Sequence, residues 1–403
     1  GGESHAEAVS QLAASEEVSQ AVRMEAANAL LDWRKPGPLD RVIGSWRPLS
    51  KAQQSRGTSE GLARRIRPAL GGLLSGDTEL RKLGIQVAAA YGIKDVGPTL
   101  WEIFRDQKNA VEVRGEALSA LASLNNAHIR TGIDSALKAD DPTLRIAGRG
   151  ALLKTAPEEA IPVLAAAVET GTTSEQQHAI EQLSKMDNRD VDSLLGRLMK
   201  KLIAGELDSA IGLDVLLAAK QRNRKPLSQL VKQYEQQVAE QQDPLAKYSL
   251  TLQGGSAQRG AEIFFGRSEA SCRRCHKIDE SGGEVGPDLS KIAIDKDRRY
   301  LLESLVLPNA KIAKGYETAV IIMESGKVII GIIKAETDET LSLMLADGTL
   351  VSVNRDEIDE RAPGKSGMPE DLIKQLTLSD LRDLVEYLSQ RKGTTAKKPA
   401  AHK

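Results

Sequence analysis

Aromatic residues make up only 3% of the 403-residue chain, so its core cannot rest on stacked rings in the manner of a Trp- and Tyr-rich sandwich. Cysteine is scarcer still. The two present, Cys272 and Cys275, sit three positions apart, which excludes a disulfide framework. Long apolar runs are missing, and stretches such as Ile161–Val168 are far too short to span a bilayer. Nor is there a surplus of one charge: 55 Lys and Arg face 56 Asp and Glu, for a net charge of −1. No overall field therefore favours nucleic acid or an anionic membrane as partner. Gly1–Gln20 carries acidic and polar side chains throughout and does not read as a signal peptide. The length suffices for two or three domains, and an apolar share drawn mostly from Ala, Leu, Ile and Val suits closely packed helices.

A repeat dominates roughly the first 220 residues. Similar segments begin at Val22 (VRMEAANALL), Leu80 (LRKLGIQVAAAYG), Val113 (VRGEALSALASL) and Leu144 (LRIAGRGALLKT), with weaker copies at Glu175 (EQQHAIEQLSKM) and Asp208 (DSAIGLDVLLAA). From Leu80 onward the starts are 33, 31, 31 and 33 residues apart. Each copy has apolar positions at helical spacing, with Ala or Gly where a neighbouring helix would come close. Second amphipathic helices are expected between the copies, over Pro98–Arg105, Ile129–Lys138 and Ala160–Glu169. A two-helix unit of this period cannot bury its own apolar face, so the units are expected to stack. The pattern resembles HEAT repeats, in which an apolar-Arg pair opens the second helix. It is interrupted between Trp33 and Thr78 by a segment rich in Pro, Gly and Arg. The resemblance implies a helical solenoid over residues 1–242 that could serve as a scaffold for a protein partner. A polar helix over Pro226–Gln242 precedes Asp243-Pro244 and Gly254-Gly255, so residues 243–255 read as a linker. The low-complexity tail 393–403 reads as disordered.

The strongest chemical signal is Cys272-Arg-Arg-Cys275-His276. Residues three apart lie one helical turn from each other, so both sulfurs can face one side, with an imidazole immediately following. That is the spacing for covalent attachment of a c-type haem. A structural zinc site would need four donors, and no second Cys or His pair is at hand. A thioredoxin-like dithiol would sit after a strand in a βαβ unit, a pattern not found here. A chance match is the remaining alternative.

The flanking residues resemble the cytochrome c family. Ala257–Phe265 (AQRGAEIFF) is similar to that family's first helix, where Gly260 and Phe264 would meet the last helix. Leu378–Leu388 (LSDLRDLVEYL) is similar to that last helix, with Ser379 as its expected cap, Leu381, Leu384, Val385 and Leu388 on one face, and Tyr387 as its aromatic. Gly286-Pro287-Asp288-Leu289 is similar to the loop after the haem attachment site. The resemblance implies that His276 ligates the iron and that the Pro287 carbonyl accepts a hydrogen bond from it. It also implies a methionine ligand on a loop before the closing helix, where Met368-Pro369 stands. Thioether ligation would raise the reduction potential relative to two histidines. As a mere gap-filler Met368 would have little core to fill in a segment so rich in polar residues, Gly and Pro. Met323 and Met344 fall within apparent strands, where packing is the expected role. His5 and His402 lie in terminal segments, and His128 and His178 among repeat helices, where they read as surface residues.

Met368 lies 92 residues after His276, further than in a compact cytochrome c. The surplus alternates like strands at Thr318–Met323, Lys327–Lys334, Thr340–Leu345 and Thr349–Val353, with hairpin turns at Ser325-Gly326 and Asp347-Gly348. Residues 316–361 are therefore expected to form a small antiparallel β insertion. The fold class expected is mainly α: a HEAT-like solenoid followed by a class I cytochrome c-like helical domain over residues 256–392 that carries this insertion.

The combination resembles the haem-binding C-terminal region of large exported proteins of planctomycetes and verrucomicrobia. In these the region often follows a β-propeller similar to quinoprotein or sugar dehydrogenases. The resemblance implies that this chain is a fragment of a longer polypeptide, periplasmic or extracellular, with no membrane span. It implies one covalent haem c with its iron, and electron transfer from a fused dehydrogenase domain or a redox partner protein. Two other readings stand beside it: peroxidase-like haem catalysis, which needs an open or displaceable sixth position, and a scaffold with a structural haem. Arg273, Arg274 and Lys277 could steer an acidic partner, although such charges are more often merely solvated.

Overall fold

The computed structural model describes residues 2–33, 58–267 and 272–393. Most of the Pro-, Gly- and Arg-rich segment after Trp33, and the tail beyond Gly393, lie outside the described residues. The fold is mainly helical, with 18 helices among the described residues and a small antiparallel sheet. No helix among them is long and apolar enough to cross a membrane. The chain divides into two compact units, Gly1–Leu183 and Ser184–Lys403.

The first unit is built from helices α1 (Glu3–Ala14), α2 (Gln20–Leu31), α3 (Ser59–Ile66), α4 (Leu70–Leu74), α5 (Thr78–Ala90), α6 (Gly97–Arg105), α7 (Val111–Ser123), α8 (Ile129–Leu137), α9 (Pro142–Thr155) and α10 (Pro157–Thr170), and α11 (Thr173–Ser184) runs to its boundary. Capping sets several of the starts. The Asp77 carboxylate accepts from the Leu80 amide ahead of α5, and Asp141 accepts from the Thr143 amide with Pro142 opening α9. The helices of the repeated copies, α2, α5, α7 and α9, pack in series, and α1, α4, α6 and α8 each pack on the copy that follows. Small residues make the close approaches: a Cβ on Gly148 would stand 3.0 Å from the Ala136 Cβ, and one on Gly84 2.8 Å from the Leu73 Cβ.

The arginine of the recurring apolar-Arg pair has a concrete task. Arg23 donates to the Ala13 carbonyl at 3.1 Å, Arg81 to Leu74 at 2.9 Å, Arg114 to Phe104 at 2.9 Å and Arg145 to Ala139 at 2.8 Å. These carbonyls close the preceding helix or lie just beyond it, where no backbone amide remains to satisfy them. A guanidinium also answers the negative end of that helix dipole. Arg145 further grips Glu175 through two 2.8 Å bonds, and Arg149 lies 2.8 Å from the same carboxylate. Glu175 is only 1% exposed, and the Arg145 hydrogen bonds hold its carboxyl well below the usual carboxylate range.

In the second unit α12 (Arg189–Ala204), α13 (Ser209–Arg222) and α14 (Lys225–Ala239) pack on one another. Residues 243–255 are packed rather than extended. Ala246–Thr251 forms a 3-10 helix, Leu245 and Thr251 are buried, and Tyr248 and Leu252 lie against the core that Leu245 joins. That core is closed by α15 (Ala257–Gly266), α17 (Arg298–Val306) and α18 (Leu378–Ser389), with the single turn α16 (Cys272–Cys275) at its margin. A buried ion pair, Arg382 to Asp214 at 2.7 Å, ties α18 to α13.

Helix α18 starts differently from expectation. Its cap is Thr377, not Ser379, which lies inside the helix. The Thr377 hydroxyl accepts from the Asp380 amide while the Asp380 carboxylate takes the Thr377 amide at 2.8 Å, a reciprocal box that Ser379 has no partner to form. Replacing Thr377 by alanine is expected to cost about 1 kcal/mol, read as a lowered denaturation midpoint of the whole chain.

The sheet comprises β3 (Thr318–Met323), β4 (Val328–Glu336), β5 (Thr340–Met344), β6 (Leu350–Asn354) and β7 (Ile358–Pro363), after the short hairpin of β1 (Lys277–Ile278) and β2 (Ser281–Gly282). Its order is β6-β5-β4-β3-β7, antiparallel throughout. Alternation places Ala319, Ile321, Met323, Ile329, Leu341, Leu343 and Val353 in one core. The four expected strands lie within a residue or two of their observed bounds, and β7 is an addition that extends the sheet to Pro363, beyond residue 361. Both hairpins close over three residues. The Met323 amide donates to Lys327 and the Leu345 amide to Thr349, with only Gly326 and Gly348 at positive φ. This is a type I turn with a glycine bulge in place of a two-residue primed turn.

Candidate functional site

The closing core is organised around one helix crossing. A Cβ on Gly260 would lie 2.0 Å from the Asp383 carbonyl oxygen and 2.6 Å from the Tyr387 Cβ, so α15 and α18 touch backbone to backbone at this point. Beside the crossing, Phe264 and Tyr387 have ring centroids 5.9 Å apart, and Phe265 stands 4.9 Å from Phe264. Arg259 holds Asp383 at 2.7 Å and Arg267 holds Asp380 at 2.6 Å, fixing both ends of α15 on α18. The meeting of Gly260 and Phe264 with the last helix is thus present in the geometry.

From this frame the chain enters α16, whose one turn carries Cys272 and Cys275, both half-buried free thiols. Cys272 packs against the same apolar core, and burial pushes its thiol up to about 11. The His276 amide closes the turn on the Cys272 carbonyl at 3.0 Å. Residues 277–289 then fold back over α16. The Gly283 amide donates to Arg273 at 2.9 Å, Gly286 to Cys275 at 2.7 Å and Leu289 to Lys277 at 2.8 Å. Arg273 and Arg274 are exposed.

The fold-back fixes the imidazole. His276 Nδ1 lies 2.9 Å from the Pro287 carbonyl oxygen, which can only accept, so Nδ1 carries the proton. Burial lowers the His276 pKa, against the opposing effect of that hydrogen bond, and keeps the ring neutral. A neutral ring protonated at Nδ1 leaves the Nε2 lone pair available as a ligand. Gly286 is pressed against the ring: a Cβ there would stand 2.6 Å from Cε1 and 2.8 Å from Nδ1. In the sequence Gly286 stands out only as the first residue of the Gly286-Pro287-Asp288-Leu289 loop, and its contact with the imidazole appears only in the fold. The cluster GGEVG is the one signal that could have suggested a backbone pressed close to another group.

Met368 is half-buried and packs against the same core as Cys272, on the loop between β7 and α18. One flank of this loop borders an open cavity of about 580 Å³ lined by Asn309, Met368 and polar residues of the loop itself. The rival positions lie elsewhere. Met323 is buried in the sheet core, and Met344 is half-buried opposite Ile332. His5 is exposed on α1, and His178 is half-buried on α11. His128 is exposed and stacks on Trp101 at 5.0 Å, and His402 lies outside the described residues.

The donor set is one that a haem would fit. Among the described residues no group of three or more His, Cys, Asp or Glu side chains could hold a metal. What the site offers is two thiols one turn apart, a neutral imidazole with Nε2 free, and a thioether on the same apolar core. The chain matches no family model and no curated protein.

Proposed function

We propose that this chain binds one haem c covalently through Cys272 and Cys275, with His276 and Met368 as axial ligands, and serves in electron transfer. The observation that carries the reading is the His276–Pro287 hydrogen bond within the fold-back over Cys272-Arg-Arg-Cys275. It leaves one ring nitrogen, and only that one, free for iron. When bound, the haem supplies a one-electron ferric/ferrous couple. The protein's own groups do the rest. Pro287 holds the imidazole tautomer, Gly286 admits the ring, and the core of α15, α17 and α18 offers an apolar surface that excludes water.

In the wider proposal, the helical pairs of the first unit form a HEAT-like solenoid that can hold a protein partner. The domain that follows is cytochrome c-like, and electrons arrive from a dehydrogenase domain or partner outside the cytoplasm. The test is expression with a cytochrome c maturation system and comparison of wild type with Met368→Ala. A methionine-to-iron charge-transfer band in the wild type that vanishes in the variant is the expected result. A wild type without that band, binding exogenous ligands as readily as the variant does, would replace electron transfer by haem catalysis.

A further inference from the structure

We infer that Met368 is positioned by two residues from outside its own loop, Thr318 at the start of the β insertion and Asn309 in the segment between α17 and that insertion. The inference rests on the axial role proposed above for Met368 and says what holds it there.

The loop carrying Met368 emerges directly from β7, the edge strand paired with β3. Burial does not fix its course, since Lys365, Gly367, Pro369 and Glu370 are all exposed and the cavity opens on one flank. Hydrogen bonds from outside the loop do so instead. As β7 ends, the Gly364 amide donates to the Thr318 carbonyl at 2.8 Å, and the Thr318 hydroxyl donates to the Lys365 carbonyl. Gly364 is pressed on Thr318 so closely that a Cβ would fall 2.1 Å from its hydroxyl oxygen. One step further, the Ser366 amide donates to Asn309 Oδ1 at 2.7 Å, and the Asn309 amide group donates to Glu370. Asn309 therefore bridges the two sides of Met368. Inside that bridge the Met368 amide reaches Ser366 Oγ at 3.2 Å.

The register of the loop is thus inherited from the sheet. Pairing of Ala319 with Pro363 sets where the strand stops, Thr318 clamps the next two residues, and Asn309 clamps the turn around the methionine. Without these clamps the loop of residues 364–370 would sample many conformations, and ordering it would oppose thioether ligation.

The experiment uses the matured full chain and three variants: Asn309→Ala, Thr318→Val, and the exchange Asn309→Asp with Glu370→Gln. That exchange keeps an acceptor for the Ser366 amide and restores a donor–acceptor pair to residue 370. Asn309→Ala and Thr318→Val are expected to retain covalent haem while losing much of the methionine-to-iron band. Their reduction potential should fall, and added imidazole should bind about tenfold more tightly. Faster hydrogen exchange at residues 364–370 of the matured chain is the readout independent of the spectrum, and the double exchange should recover the band. A purely structural role would lower stability without moving band, potential or imidazole affinity. A wild type showing the band, with both single variants unchanged in all three, overturns the inference alone. A wild type lacking the band overturns the ligand assignment and this inference together. Should Asn309→Ala fail to accumulate, Thr318→Val, which preserves shape and strand pairing, decides the matter.

Discussion

Serine at both Cys272 and Cys275 is expected to abolish covalent haem retention, so that haem staining after denaturing electrophoresis disappears while the wild type stains. Thioether bonds need sulfur nucleophiles at both positions, and serine keeps the size of the turn without that chemistry. The half-buried Cys272 thiol, pushed up to about 11 by burial, also makes spontaneous reaction slow, because the thiolate is the nucleophile. Simple mixing of apo-protein with haem should therefore leave Cys272 unmodified, and attachment should require the maturation system. Loss of the haem should also loosen the surrounding core, seen as faster proteolysis of residues 256–393. A wild-type chain that emerges from maturation without stain would sink the haem proposal outright.

The largest stability effect is expected at Gly260. A valine there would drive its side chain into the Asp383 carbonyl and the Tyr387 Cβ, neither of which is the flexible end of a side chain. The helices would have to part, uncovering Phe264, Val385 and Leu388. A loss of about 4 kcal/mol is expected from denaturant unfolding. Gly266, near the end of the same helix, has nothing within 4 Å of its built Cβ and serves as control, with alanine there changing stability by no more than about 0.5 kcal/mol. Equal effects at the two positions would show that the crossing is not what Gly260 provides.

Much of this architecture is legible in the residues themselves, for identifiable reasons. Helices of the first unit announce themselves because apolar residues recur at helical spacing and Asp or Pro stands at the starts. Strands β3 and β5 are plain because TAVIIM and TLSLM bury every second residue. Strand β7 is not, because its sequence IDERAP is charged and exposed at an edge, and only pairing with β3 makes it a strand. The cap of α18 is misplaced by two positions because Thr377 and Ser379 are both good caps. Only the reach of Asp380 back to the Thr377 amide decides between them. Residues 243–255 read as a linker from their Pro and Gly, while their apolar members Leu245, Tyr248 and Leu252 pass unnoticed. At the site, Cys272, Cys275 and His276 are readable from spacing. The pressure of Gly286 on the imidazole and the grip of Asn309 on the Met368 loop are not, because each joins residues that only the folded chain brings together.

The arginines that close each preceding helix give the two units opposite folding habits. Arg23 reaches a carbonyl ten residues back, Arg114 also ten and Arg145 six, so each helical pair can finish itself from chain that has only just preceded it. Such short-range closure favours rapid, stepwise folding from the N-terminus, with each completed pair offering a surface to the next. The region from Ser256 to the last helix has no such convenience. Its first helix waits for Asp383, 127 residues beyond Ser256, before its exposed Phe264 face is covered. During that interval the region is the part of the chain most open to misassociation and to proteases, and the last helix acts as the latch that ends the exposure.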